Sequence, residues 1–255
     1  STYNSRAFGI AINGSWGSGK TTFMKFIEKE LNDREKRTNF SKKENSQLNK
    51  IVESTITIWF NPSRSGGEKE ILKDFYETFI DSINPFDTDL SKSLNKYLRD
   101  LLNAETNLKT KFFQLLTFKI DSVHLSSNAV NNTFKELDLQ ISKTNKRFIF
   151  FIDDLDRLTS KEILTVFKII RFSADFKNIF FVVGFDRDYV IKSLNRPSGI
   201  VNSRDYLHKL FQLELFLPEI ENQNLIDFFN SNIENRIGFN KNISDLRKKL
   251  IEALI

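Results

Sequence analysis

Short apolar runs alternate with longer stretches of helical period along the 255 residues of this chain. Residues 8–12 (FGIAI) make a strand-sized run that stops at Asn13-Gly14, a pair suited to a tight turn. Residues 21–31 (TTFMKFIEKEL) then set Phe23, Phe26, Ile27 and Leu31 at helical spacing. The β-branched and aromatic run 54–60 (STITIWF) predicts the next strand, closed by Asn61-Pro62. After a turn at 63–67 (SRSGG), residues 68–83 return to helical periodicity.

From 84 to 145 no strand is predicted. KSLNKYLRDLLNAE and NNTFKELDLQISK read as amphipathic helices, and KTKFFQLLTFKIDSV between them is ambiguous. Residues 147–152 (RFIFFI) form a near-continuous apolar strand of the kind buried on both faces of a parallel sheet. The helix expected over 159–172 starts with a capping box, Thr159 with Glu162 three residues on. A second buried strand follows at 178–185 (NIFFVVGF), then helices at 186–195 and 204–211, a strand and turn at 213–220, and helix over 221–255. Strands alternating with helices predict a doubly wound, mainly parallel α/β sheet with an inserted helical subdomain. The expected division is a core over 1–83 and 146–220, the insertion over 84–145, and the start of a C-terminal helical lid over 221–255 that continues beyond the last residue.

Composition removes several chemistries. With no cysteine, disulfides, thiolate metal sites and thiol catalysis are excluded. His124 and His208 are too few for a histidine metal site. The net charge of +5 is mild, and the mixed-sign stretch 34–50 reads as a solvated helix end and loop rather than a nucleic-acid arm. The 26 phenylalanines look like codon bias and carry no functional argument. No run approaches the roughly 18 apolar residues a membrane helix needs, and no secretory signal opens the chain. A cytoplasmic protein without membrane contact is expected.

Residues 14–21 (GSWGSGKT) fit G-x-x-x-x-G-K-[ST] without mismatch, between a predicted strand and a predicted helix. Gly14, Gly17 and Gly19 let the backbone curl with its N–H groups inward. The helix starting near Lys20 favours an anion at its N-terminus. Lys20 is expected to reach β- and γ-phosphates and the Thr21 hydroxyl to ligate Mg²⁺. Ser15, Trp16, Ser18 and Thr22 complete the run expected to touch the nucleotide.

The loop needs an acidic partner, and FIFFIDDLDR supplies one at the carboxyl end of a buried strand. Asp153 is the expected Mg²⁺ acid, and Asp154 the group that polarises the attacking water. Asp156 and Arg157 read either as a structural clamp or, for Arg157, as a contact to phosphate of the same or a neighbouring subunit. At the next strand end Asp186 and Arg187 are candidates to sense the γ-phosphate, with helix capping the alternative for Asp186. Arg171 is a further candidate arginine finger.

GSWGSGKTTF, IWFNP, FFIDDLDRL, FFVVGFDRDYV and YLHKLFQLELFLPEI together resemble the KAP family of P-loop NTPases. The resemblance runs from residue 8 to about 220, and Trp16 inside the loop and the DDLDR run are its most specific parts. It implies a P-loop NTPase-type sheet of the additional-strand class, an ATPase related to the STAND and AAA-like groups, and coupling of nucleotide state to assembly or signalling. Lys209 matches a lysine of the family pattern. Position 63, usually aromatic in the family, is Ser here. Many members carry two membrane helices in the insertion; residues 84–145 are too polar for that and resemble the soluble bacterial branch, which includes proteins implicated in excluding phage.

The expectation is a slow ATPase using ATP and Mg²⁺, exchanging ATP for ADP as a switch within a homo-oligomer, in anti-phage defence. Its partner would be an effector or sensor protein or an appended domain. A nucleotide-gated oligomeric scaffold with negligible turnover and a DNA-stimulated ATPase are the alternatives. GTP is disfavoured because no Asn-Lys-x-Asp run follows a strand.

Overall fold

The computed structural model describes residues 8–40, 55–108, 128–144, 146–173, 175–195 and 203–218. The chain divides into one unit spanning Ser1–Leu217 and a second spanning Pro218–Ile255, and every element below belongs to the first. The ambiguous stretch 109–123 and the helix expected over 221–255 lie outside the described residues.

The sheet has five strands, β1 (Phe8–Asn13), β2 (Thr55–Phe60), β3 (Arg147–Ile152), β4 (Ile179–Phe185) and β5 (Leu213–Phe216), every pair parallel. The order is β2-β3-β4-β1-β5. β4 therefore stands between the strand that leads into the glycine loop and the strand that ends at Asp153, the additional-strand arrangement. At about 4.8 Å per strand the two functional strand ends are roughly 10 Å apart. The space between them lies over the end of β4.

Helices α1 (Lys20–Phe40), α2 (Glu68–Ile83), α3 (Thr88–Leu108), α4 (Asn128–Lys143), α5 (Ser160–Ser173), α6 (Arg187–Asn195) and α7 (Ser203–Leu210) complete the described elements. Strand alternation sorts the core into two faces. Ile12, Phe151 and Val182 pack with Met24 of α1 on one side. Phe148, Phe150, Ile152, Phe181, Val183 and Phe185 face the other side, under α2 and α5. α5 begins with the expected box: Thr159 N–H donates to Glu162 Oε2 at 2.8 Å, and Glu162 N–H to Thr159 Oγ1 at 3.4 Å.

The phenylalanines, read from composition as codon bias, build the larger core. Phe75 and Phe79 of α2 meet Phe150 at 4.7 and 5.0 Å between ring centroids, and Phe150 stacks on Phe181 at 5.4 Å. The helical insertion joins this same core: Leu94, Tyr97 and Leu98 of α3 and Leu137 and Ile141 of α4 are buried in one cluster with the sheet. Its helices pack on α2 through Tyr76–Tyr97 (5.6 Å) and reach the turn before β4 through Tyr97–Phe176 (5.7 Å). Large aromatic faces bury enough area to fasten an insertion that a polar outer surface would otherwise leave independent.

Burial also makes this core a pH-dependent element. It pushes the Tyr76 and Tyr206 phenols up to about 12 and raises Tyr97 well above its usual value. The folded state then holds protons that the unfolded chain releases near pH 10. Stability is full below that value and is lost as pH rises towards 12, by about 3 kcal/mol for a two-unit shift. Urea titrations between pH 9 and 11.5 are expected to show this decline, reduced in Tyr76→Phe.

Candidate functional site

β1 delivers the chain to the carboxyl edge of the sheet, and the glycine loop carries it into α1. Gly17 (φ 80°) and Gly19 (φ 89°) take left-handed backbone that a side chain would strain. Phe23 N–H already donates to Gly19 O at 2.8 Å, so the helix begins within the loop. The buried Lys20 Nζ donates to Gly14 O at 3.0 Å and Ser15 O at 2.9 Å, and lies 3.8 Å from Asp156 Oδ2. Its ammonium is thus held at the centre of the curl. The Ser18 hydroxyl is buried inside it with no hydrogen-bond partner.

Across β4, Thr21 Oγ1 donates to Asp153 Oδ2 at 2.5 Å. Asp153 is buried, and its second oxygen accepts Asp154 N–H at 2.9 Å. This approach needs a small residue at the end of β4. A Cβ on Gly184 would meet Met24 Cε at 2.8 Å and Asp153 Oδ1 at 3.2 Å. One hydroxyl and one carboxylate in contact, both hard oxygen donors, suit Mg²⁺, whose other positions go to phosphate oxygens and water. A left-handed glycine loop at a helix N-terminus, a buried ammonium and this oxygen pair fit a Mg²⁺-bound nucleotide phosphate chain.

Asp154 has φ 60°, a left-handed conformation that Asp and Asn tolerate better than most residues. It begins the 3-10 turn Leu155–Arg157, plugged into the core by the fully buried Leu155. Asn61 Nδ2 donates to Asp154 Oδ2 at 2.9 Å, and Arg157 Nε pairs with Asp154 Oδ1 at 3.1 Å. The Asn61 amide is itself oriented, because Ser63 N–H and Oγ–H both donate to its Oδ1, at 3.0 and 2.7 Å. Arg157 lies over the Trp16 ring, 5.2 Å from its centroid. A cavity of about 620 Å³ opens here, lined by Thr21, Lys25, Asn61, Arg64, Asp74, Asp153, Asp154 and Arg157.

The structure thus brings together Lys20, Thr21, Asp153, Asp154, Arg157 and Trp16. The remaining candidates make other contacts. Asp186 caps α6, its Oδ1 accepting Tyr189 N–H at 3.0 Å, which is the alternative role the sequence offered. Arg187 Nε pairs with Glu214 Oε2 on β5 at 3.0 Å, the same oxygen that accepts Asn13 Nδ2 just before the glycine loop. Arg171 lies in the last turn of α5, roughly 16 Å along the helix from Ser160 and so towards the opposite edge of the sheet. Lys209 lies in the last turn of α7, where the Leu210 carbonyl abuts Gly9 at the amino half of β1. Asn61 and Ser63 were missed as site residues; Asn-Pro at a strand end read only as punctuation, although an amide there faces the next strand's terminal acids.

Among curated proteins the chain is similar to the phage T7 exclusion protein of Escherichia coli K12, 29% identical over 99 residues. That match spans 39% of this chain and 13% of that protein. Among solved structures it resembles the ORC2 protein of Aeropyrum pernix, 13% identical over 90% of this chain and 46% of that one, with TM-score 0.45. The ORC1 protein of the same organism, solved in complex with DNA, gives 13%, 89%, 44% and 0.46 in the same order. A Walker-type ATPase of Pyrococcus abyssi gives 14%, 98%, 58% and 0.39. The KAP family P-loop domain matches residues 1–252. With its glycine loop, its acidic strand end and the strand inserted between them, the chain belongs to the KAP family of P-loop NTPases.

Proposed function

We propose that this chain binds and slowly hydrolyses ATP with Mg²⁺, as a nucleotide-dependent switch within a homo-oligomer. The observation that carries the reading is the contact of Thr21 with Asp153 across β4, beside the central ammonium of Lys20. Lys20 and the loop amides hold the phosphates. Thr21 and Asp153 would hold Mg²⁺, which when bound neutralises charge building on the β- and γ-phosphate oxygens. Asp154 takes the proton of the attacking water, with Asn61 fixing the plane of its carboxylate. The cavity beside Asp154 supplies room for that water.

The test is phosphate release by the purified chain with MgATP, alongside size-exclusion chromatography in ATP and in ADP. Turnover that vanishes with Lys20→Ala, and a size change that follows the nucleotide, support the reading. Equal turnover by wild type and Lys20→Ala ends it. Asn61→Ala is expected to lower kcat about tenfold while leaving KM for ATP nearly unchanged, as steady-state kinetics would read, because it orients the base without touching phosphate.

One observation favours a second reading, a nucleotide-gated scaffold with negligible turnover. Both Asp154 oxygens are engaged, by Asn61 and Arg157, which competes with their use as a base. Nucleotide-dependent assembly without phosphate release would select it. A role in excluding phage is supported by the likeness to the phage T7 exclusion protein. It is tested by phage plating efficiency on cells expressing the full-length protein against its Lys20→Ala variant.

A further inference from the structure

We propose that Trp16 is the positioning residue of Arg157: its indole seats the guanidinium over the phosphate loop, with Asp154 as the second anchor. This rests on the reading that the loop holds a nucleotide, and assigns a role to a residue the loop template leaves free. Trp16 is 69% exposed, so it contributes little to any core. A large rigid ring at the tip of a glycine loop must do something other than pack. Its described neighbour is a cation, the Arg157 guanidinium at 5.2 Å from the ring centroid.

Arg157 is fixed from three directions. The turn Leu155–Arg157 is anchored in the core by Leu155 and starts from the left-handed Asp154. The Asp154 carboxylate takes Nε at 3.1 Å, and the indole supports the guanidinium plane. A half-exposed ion pair is weak by itself, and so is a solvent-exposed cation–ring contact. Together they confine a long, entropically costly side chain to one location. A guanidinium has five N–H donors, and Nε is the one that Asp154 takes. The η nitrogens are left for an anion on the cavity that Arg157 lines beside Thr21 and Asp153. A preplaced cation there stabilises charge developing on a terminal phosphate without moving at the moment of reaction. Trp16 acts only through Arg157, so an aromatic ring is required at this position and apolar bulk is not enough.

The test compares Trp16→Phe with Trp16→Leu, each alone and with Arg157→Ala, in steady-state MgATP hydrolysis and in ADP titrations. Trp16→Leu is expected to lower kcat at least fivefold with ADP affinity held within twofold, and Trp16→Phe to restore most of the loss. In the Arg157→Ala background the two Trp16 substitutions are expected to be indistinguishable. Equal kcat for Trp16→Phe and Trp16→Leu, or a further loss from Trp16→Leu when Arg157 is absent, overturns the proposal while leaving the ATPase reading intact. A wild type that binds no nucleotide overturns both. A second measurement is independent of turnover. The chain has 2 tryptophans, so Trp59→Phe leaves Trp16 as the sole indole, and adding Arg157→Ala is expected to change its emission. Unchanged emission overturns the seating.

Discussion

Lys20→Ala is expected to weaken binding of MgATP by 100-fold or more in isothermal titration calorimetry, with the fold retained. Lys20 is the one cation at the centre of the curl, and a charge-assisted hydrogen bond contributes about 1.5–3 kcal/mol. Two such bonds to phosphate account for a loss of at least ~100-fold. The fold is expected to survive because Lys20 anchors only Gly14 O, Ser15 O and Asp156, while Met24 and Ile12 beneath the loop belong to an apolar cluster that does not include it. Thermal unfolding of the variant checks this, and Lys20→Arg is not a neutral control: the larger planar guanidinium does not fit where two carbonyls already grip a point charge. Binding within tenfold of wild type would place the nucleotide elsewhere.

Asp154→Asn is expected to cut single-turnover hydrolysis by roughly 10²–10⁴-fold while ATP still binds, which rapid-quench and filter-binding measurements separate. Asparagine is the informative replacement. At φ 60° alanine would add backbone strain to the loss of the acid, whereas asparagine is among the residues that tolerate this conformation. Asparagine also keeps an oxygen for Asn61 or Arg157. A drop in turnover beyond that of Arg157→Ala therefore reports the missing base. Turnover within threefold of wild type would assign the base to another group.

The strands were legible because their ends coincide with changes of chemistry. RFIFFI gave β3 its observed bounds, as Arg147 and Asp153 are polar on either side. β1 runs one residue beyond the expected span, to the buried Asn13, because its backbone pairs with Phe185 on β4 and Phe216 on β5, strands that come much later in the chain. α1 continues from the periodic stretch to Phe40, through NDREKRTNF, whose polar sequence shows no apolar face from which a helix could be read. The placement of Lys20 and Thr21 at the start of α1 and of Asp153 after β3 was readable from spacing, because each is fixed by its own backbone position. The ion pair of Arg187 was not, since its partner Glu214 stands on a strand that comes later in the chain. Asn61 was hidden for the same reason: only the adjacency of β2 and β3 brings its amide to Asp154.

The place of β4 between β1 and β3 makes the site sensitive to strand alignment. Ile12 pairs with Gly184 and Ile152 with Val183, which leaves a hydrogen atom between Met24 and the Asp153 carboxylate that Thr21 contacts. A slip of β4 by one residue would carry Phe185 or Val183 to that level and reverse every side chain between the faces. The large phenylalanines of the main core resist such a slip, since Phe181 would leave its stack on Phe150. The aromatic packing thus acts as a vernier, holding a glycine beside a carboxylate that the aromatic rings themselves do not reach.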